Sequence, residues 1–270
     1  MPSALRDLVV TVLAVITIWW VTDWYSATLR DPLFLDGLVL SCAMGLQLLL
    51  HLQNRGLFAL PGSLPFWSGV HIYTGFFVVG AFIIHTSGSL PDTRLEWALW
   101  LLFVVVVVSG LIGTYLTRSI PDRLEQDGER VPLDSLPAIR SALAQRASTL
   151  LLLSSRQPSF KLFQDLYDAT LHEFFKAPRN AFAHLRGSNR PLKKLMFELD
   201  ALETDLDRDG HEVLADLKNL VTSKNRLDFR FAHEMALRIW LFVHVPATYA
   251  LIVLSVLHAL TAYAYRSGVD

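Results

Sequence analysis

Apolar residues fall into five long blocks, running from Leu8 to Tyr25, Leu33 to Leu52, Phe66 to Ser87, Leu95 to Leu116 and Ile239 to Tyr265. A bilayer core of roughly 30 Å needs about 20 predominantly apolar helical residues. Each block comes close to that length, so the pattern predicts five transmembrane helices. Trp19, Trp20, Trp24, Trp67, Trp97, Trp100, Tyr263 and Tyr265 mark several block ends. Such aromatic residues favour headgroup depth, where an apolar ring and a polar tip are both satisfied.

Between the fourth and fifth blocks the pattern changes from continuous to periodic. Ala138 to Ser154, Phe160 to Phe175, Leu192 to Leu206 and Val213 to Val221 read as amphipathic helices. Pro132, Pro137, Pro158, Pro178, Pro191 and Gly210 punctuate them. The predicted architecture is therefore all-α: residues 1–117 form transmembrane helices one to four, 118–236 a soluble helical insertion, and 237–270 a fifth span that completes a four-helix bundle.

Composition supports a membrane setting. The chain is 52% hydrophobic with a formal net charge of −1, and its mean hydropathy is +0.37. Nothing in that balance points to nucleic acid. The single cysteine, Cys42, excludes an internal disulfide and a four-cysteine iron–sulfur site. A covalent c-type haem is excluded too, since its attachment needs two cysteines before a histidine. The first apolar block runs into tryptophans without a small-residue cleavage site, so it reads as a retained helix.

Positive charge sets the expected orientation. Arg118, Arg123, Arg130, Lys224, Arg226, Arg230 and Arg238 flank the insertion, and Arg6 and Arg55 fall on the same side; Arg30, Arg94 and Arg266 fall on the other. The N-terminus and insertion are expected in the cytoplasm and the C-terminus in the periplasm, with a bacterial inner membrane as the setting.

Two of the blocks carry candidate chemistry. His71 and His85 lie on the third, His244 and His258 on the fifth, and each pair is separated by thirteen residues. Fourteen helical steps return to the same face within about 40° and rise about 21 Å. Each helix thus presents one histidine near each membrane surface. One span separates the two helices, so they run parallel, with His71 level with His244 and His85 with His258. Two facing imidazoles at each level suit a six-coordinate haem iron, and double ligation favours electron transfer over oxygen chemistry. The expected cofactors are two haems b. Arg118, Arg55 and Arg94 are candidate partners for haem propionates. Gly37, Gly45, Gly69, Gly75, Gly80, Gly110 and Gly113 could admit a flat macrocycle or simply pack helices. Pro246 is expected to loosen the fifth helix beside His244. Interhelical hydrogen bonding and a histidine-lined metal-ion pathway remain alternatives, and a non-redox membrane anchor is a further one.

The paired histidine helices resemble the haem-binding core of respiratory cytochrome b, and more broadly the bis-histidine dihaem membrane cytochromes, including quinone-linked b subunits. The resemblance covers helices two to five and rests on His71, His85, His244 and His258. It implies a subunit of a membrane oxidoreductase that passes electrons across the bilayer between a quinone and soluble partners. A cytochrome c, a flavoprotein or an iron–sulfur protein would be such a partner. The chain lacks a Pro-Glu-Trp-Tyr quinol motif, the nearest stretch being Leu95, Glu96 and Trp97.

Other signals are weaker. His51 could meet a propionate or a quinone carbonyl, or be an ordinary interfacial residue. His172, His211 and His233 are each followed by Glu, without the second histidine of a zincin helix. Asp205, Asp207, Asp209 and Gly210 resemble the start of a calcium loop, with Asp216 at the twelfth position where Glu is usual. The alternative is an acidic turn capping a helix. The basic run from Arg186 to Lys194 suits anionic headgroups or a solvated face.

Overall fold

The computed structural model describes residues 3–27, 33–54, 61–119, 133–153 and 160–266. All regular structure among these residues is helical. The helices are α1 (Ser3–Ala27), α2 (Leu33–Asn54), α3 (Leu64–Thr86), α4 (Arg94–Ser119), α5 (Leu136–Leu153), α6 (Phe160–Leu166), α7 (His172–Lys176), α8 (Ala181–Leu185), α9 (Arg190–Asp200) and α10 (Arg208–Arg266). Four of them contain stretches long and apolar enough to cross a membrane: Leu5–Ala27, Pro65–Thr86, Arg94–Arg118 and Arg208–Ala264. In α2 the described apolar stretch, Leu33–Leu48, is shorter.

Local chemistry sets several helix ends. Ser63 caps α3 by accepting from the Phe66 amide, and Pro65 lies in the first turn, where a missing N–H costs nothing. Thr93 and Glu96 form a reciprocal capping box on α4: the Thr93 hydroxyl accepts from the Glu96 amide at 3.2 Å, and Glu96 Oε2 accepts from the Thr93 amide at 3.2 Å. Ser87 ends α3 in the left-handed region, at φ 50°.

The chain divides into two compact units, Met1–Thr114 with Leu241–Asp270, and Tyr115–Trp240. In the first, Leu40 and Ala43 of α2, Val78 and Ala81 of α3, Phe103 of α4 and Leu251 of α10 form one apolar cluster. The rings of Phe82 and Phe103 stack at 3.8 Å. Helix α1 meets α3 at Gly80, where a Cβ would lie 2.6 Å from a Val15 methyl. Gly80 therefore serves helix packing. Large apolar side chains such as Trp20, Phe242 and Val253 stay exposed on these helices, as expected of surfaces that face lipid.

The second unit has its own core, drawn from Ala147 and Leu151, Phe163, Leu171, Phe174 and Phe175, Leu195 and Leu199, and Val213, Leu214, Leu217 and Val221. Its helices depart from the sequence expectation in three ways. The segment expected as one helix from Phe160 to Phe175 is α6 and α7 joined through a π turn over Tyr167–Leu171. The helix expected from Leu192 to Leu206 stops at Asp200, and Glu203–Asp205 is a 3-10 turn. The helix expected from Val213 to Val221 and the span expected from Ile239 belong to one 59-residue helix, α10. No Gly or Pro lies between Val221 and Ile239 to break it, and the helix continues through Pro246.

Of the two readings of the Asp205–Asp216 stretch, the structure agrees with the acidic turn that caps a helix. Residues from Arg208 onward are helical, whereas a calcium loop needs them looped around an ion. Asp207 instead caps α10, its carboxylate accepting from the Gly210 amide at 3.0 Å.

Candidate functional site

The four predicted histidines all lie in the first unit, half-buried on α3 and α10. His85 sits in the last turn of α3. Its Nδ1 lies 2.8 Å from Oδ1 of Asp36, whose side chain is only 4% exposed. A carboxylate accepts, so His85 Nδ1 carries a proton, and in the neutral ring the lone pair is then on Nε2. The next residue, Gly37, lets the ring come against the α2 backbone: a Cβ there would fall 3.1 Å from His85 Cε1. Asp36 and Gly37 together fix both the tautomer and the position of this imidazole.

His258 of α10 faces it. The two ring centroids are 6.5 Å apart and the planes cross at 88°. Two imidazoles sharing one metal ion, at bonds of about 2 Å plus roughly 1 Å from nitrogen to ring centroid, would have centroids about 6 Å apart. The observed separation meets that length.

His244 is held by a different device. Its Nδ1 lies 2.8 Å from the Ser109 hydroxyl on α4. That hydroxyl also donates to the Val106 carbonyl at 3.0 Å, so it accepts from His244, and Nε2 is again the basic nitrogen. Gly110 passes beside the ring, where a Cβ would lie 3.7 Å from His244 Cε1. The Thr248 hydroxyl donates to the His244 carbonyl at 2.8 Å. His71 is anchored through its backbone, its carbonyl accepting from Gln47 Nε2 at 2.9 Å. The other amide atom of Gln47, Oε1, is buried without a hydrogen-bond partner among the described residues. Gly75 packs against the same side chain, with a Cβ position 3.3 Å from Nε2.

Sequence reasoning missed Asp36, Ser109 and Gln47. The detectable signal was polarity: Asp36 and Gln47 are polar residues inside an apolar block, and an intramembrane carboxylate is rare without a task. Ser109 carried no such signal. Of the proposed arginines, Arg94 opens α4 and Arg118 lies in its last turn, both exposed. Arg55 falls outside the described residues, as does the side chain of His51.

A second polar cluster lies in the other unit. Lys224 and Asp228 of α10 form a fully buried ion pair. Lys224 also donates to the Ala177 carbonyl at 2.7 Å, and Asp228 accepts from the Arg179 amide at 3.1 Å. His184 and His233 are both buried, each with its ring against that of Phe229. Burial pushes the His184 imidazole below its ordinary value, against the pull of Asp228. Among the described residues no group of three or more His, Cys, Asp or Glu side chains could hold a metal ion.

No protein-family model matches the chain, and no curated protein or solved structure matches it.

Proposed function

We propose that this chain is a five-span dihaem cytochrome b subunit, with haem b ligated by His85 and His258 toward one membrane surface and by His71 and His244 toward the other. The observation that carries the reading is the facing pair His85 and His258, at 6.5 Å, with His85 Nδ1 already occupied by Asp36. A metal-ligating histidine characteristically donates its second ring N–H to a carboxylate, carbonyl or similar acceptor. His244 follows the same rule through Ser109. Gly37 and Gly110 let the His85 and His244 rings lie against the α2 and α4 backbones. When bound, the haems supply one-electron transfer between the two membrane faces. The four helices that share the apolar cluster would form the haem bundle, and the flanking charges put the N-terminus and insertion in the cytoplasm. The donor and acceptor classes are those the resemblance implies: a quinone, and a cytochrome c, flavoprotein or iron–sulfur partner.

A second reading is favoured by the same Asp36 contact. An imidazolium–carboxylate pair between α2 and α3 would serve a metal-ion pathway or a simple interhelical tie in a protein without haem. Single alanine variants separate the two. His85→Ala and His258→Ala should each remove the same haem, read as loss of one of two b-type signals in low-temperature difference spectra. His71→Ala and His244→Ala should remove the other. If His71→Ala and His258→Ala abolished the same signal, the parallel pairing would be wrong.

A further inference from the structure

We infer that the outer face of α9 docks on anionic phospholipid, with Arg190, Lys193 and Lys194 meeting headgroup phosphates and the Phe197 ring entering the acyl boundary between them. The inference rests on the membrane-length apolar helices and is independent of haem. At about 100° per residue, Arg190, Lys193, Lys194 and Phe197 fall within one arc of about 100°, and all four are exposed. Leu195 and Leu199 lie on the opposite side of the helix, buried in the core of the second unit. Phe197 is 75% exposed, in a unit that buries Phe163, Phe174 and Phe175. Two carboxylates flank the basic arc: Glu198 meets Lys194 at 3.8 Å, and Asp200 meets Lys218 at 2.6 Å. The same pairing of a cation with an exposed ring recurs in the turn before α9, where Arg186 lies over Phe182 at 4.1 Å.

A tether to α4 favours lipid as the occupant. Within the second unit the Tyr115 hydroxyl donates to the Leu185 carbonyl at 3.1 Å. Tyr115 belongs to the membrane-length stretch Arg94–Arg118 and stands three residues from its end, about 4.5 Å along the helix axis. Tyrosine at such a position favours headgroup depth. Five residues lead from Leu185 to Arg190, so Arg190 lies no more than about 18 Å from that tie. A basic helix held there meets the negative surface potential of a leaflet that contains anionic lipid. Lys and Arg can lay their apolar stems along the boundary while their charged ends stay at the phosphates. Basic side chains combined with an exposed aromatic ring are the composition of helices that lie in the interface.

The test uses the full-length protein in lipid nanodiscs, with Cys42→Ser and Asn189→Cys carrying a bimane fluorophore. Asn189 is exposed and makes no side-chain capping bond to α9. The discs hold either phosphatidylcholine alone or equal parts of phosphatidylcholine and phosphatidylglycerol, each with a trace of lipid bearing a nitroxide on its headgroup. Quenching should be stronger in the discs with phosphatidylglycerol. It should fall as salt rises from about 0.15 M to about 1 M, which shortens the screening length from about 8 Å to about 3 Å. Each basic side chain near such a surface counts for about fivefold in the docked-to-free ratio, so Arg190→Gln with Lys193→Gln should lower that ratio about 25-fold. Both substitutions leave the buried face of α9 untouched. Phe197→Ser should weaken quenching and leave its salt dependence. Equal quenching in the two lipid mixtures, or quenching in phosphatidylglycerol that survives the double glutamine variant, would overturn the inference. Quenching unchanged by Phe197→Ser would overturn the entry of the ring.

Discussion

A neutral imidazole inside a membrane has one nitrogen that must donate and one that must accept, and hydrocarbon satisfies neither. In this protein the donor demand is met from α2 for His85 and from α4 for His244, by Asp36 and Ser109. Gly37, beside Asp36, matters as well. Gly37→Val should push the His85 ring off α2, because even a Cβ would stand 3.1 Å from Cε1. The expected outcome is a fall from two haems toward one per chain, by pyridine haemochrome count. Retention of two haems with an unchanged spectrum would show that the close approach is not needed. At this scale the spacing of the four histidines was informative about the face and level each occupies on its helix. It was silent about Ser109, and Asp36 became meaningful only when helix packing showed which ring it meets.

At the scale of an element, α10 shows why an apolar pattern can mislead. Its buried stripe in the second unit runs through Leu217, Val221, Lys224, Asp228 and Ala232. These fall at helical spacing, but two core positions carry charges that satisfy one another, so the periodic apolar signal fades after Val221. The helix does not. The Lys224–Asp228 pair also closes the Ala177 to Arg179 turn onto α10. Removing one partner strands the other: Asp228→Ala should destabilise this unit by about 3–5 kcal/mol, read as faster amide exchange from Leu214 to Ala232. The paired replacement Lys224→Met with Asp228→Leu should cost much less, and equal losses in both would deny the pair its role.

His184 adds a pH dependence to the same region. An unfolded histidine titrates near 6.5, and burial holds the folded one lower. Between those values the unfolded chain binds more protons, so this contribution is complete above about pH 6.5 and is lost as pH falls through the folded value. Exchange from the second unit should therefore be faster at pH 5 than at pH 7, after correction for intrinsic rates. His184→Gln should flatten that difference, and a variant with the full wild-type dependence would point to another group.

For the whole molecule, the apolar surfaces and the charges at their ends carry the account. The expectation of an all-helical chain with several membrane-length apolar helices agrees with the structure. The alternation of continuous and periodic apolar segments was sufficient to see it, because it reports solvent on each side of an element. The proposed sidedness is open to a direct check. A cysteine placed at exposed Lys194, in a Cys42→Ser background, should react with a membrane-impermeant maleimide in inverted vesicles and not in right-side-out ones. The reverse pattern would invert the proposed orientation. The central claim, that paired histidines hold haem, is tested most directly by a reduced-minus-oxidised visible spectrum of the purified protein with a haemochrome count. The account predicts a sharp low-spin b-type α band and about two non-covalent haems per chain, one for each histidine pair. A folded protein, correctly helical by circular dichroism and free of haem after expression with ample haem supply, would contradict it.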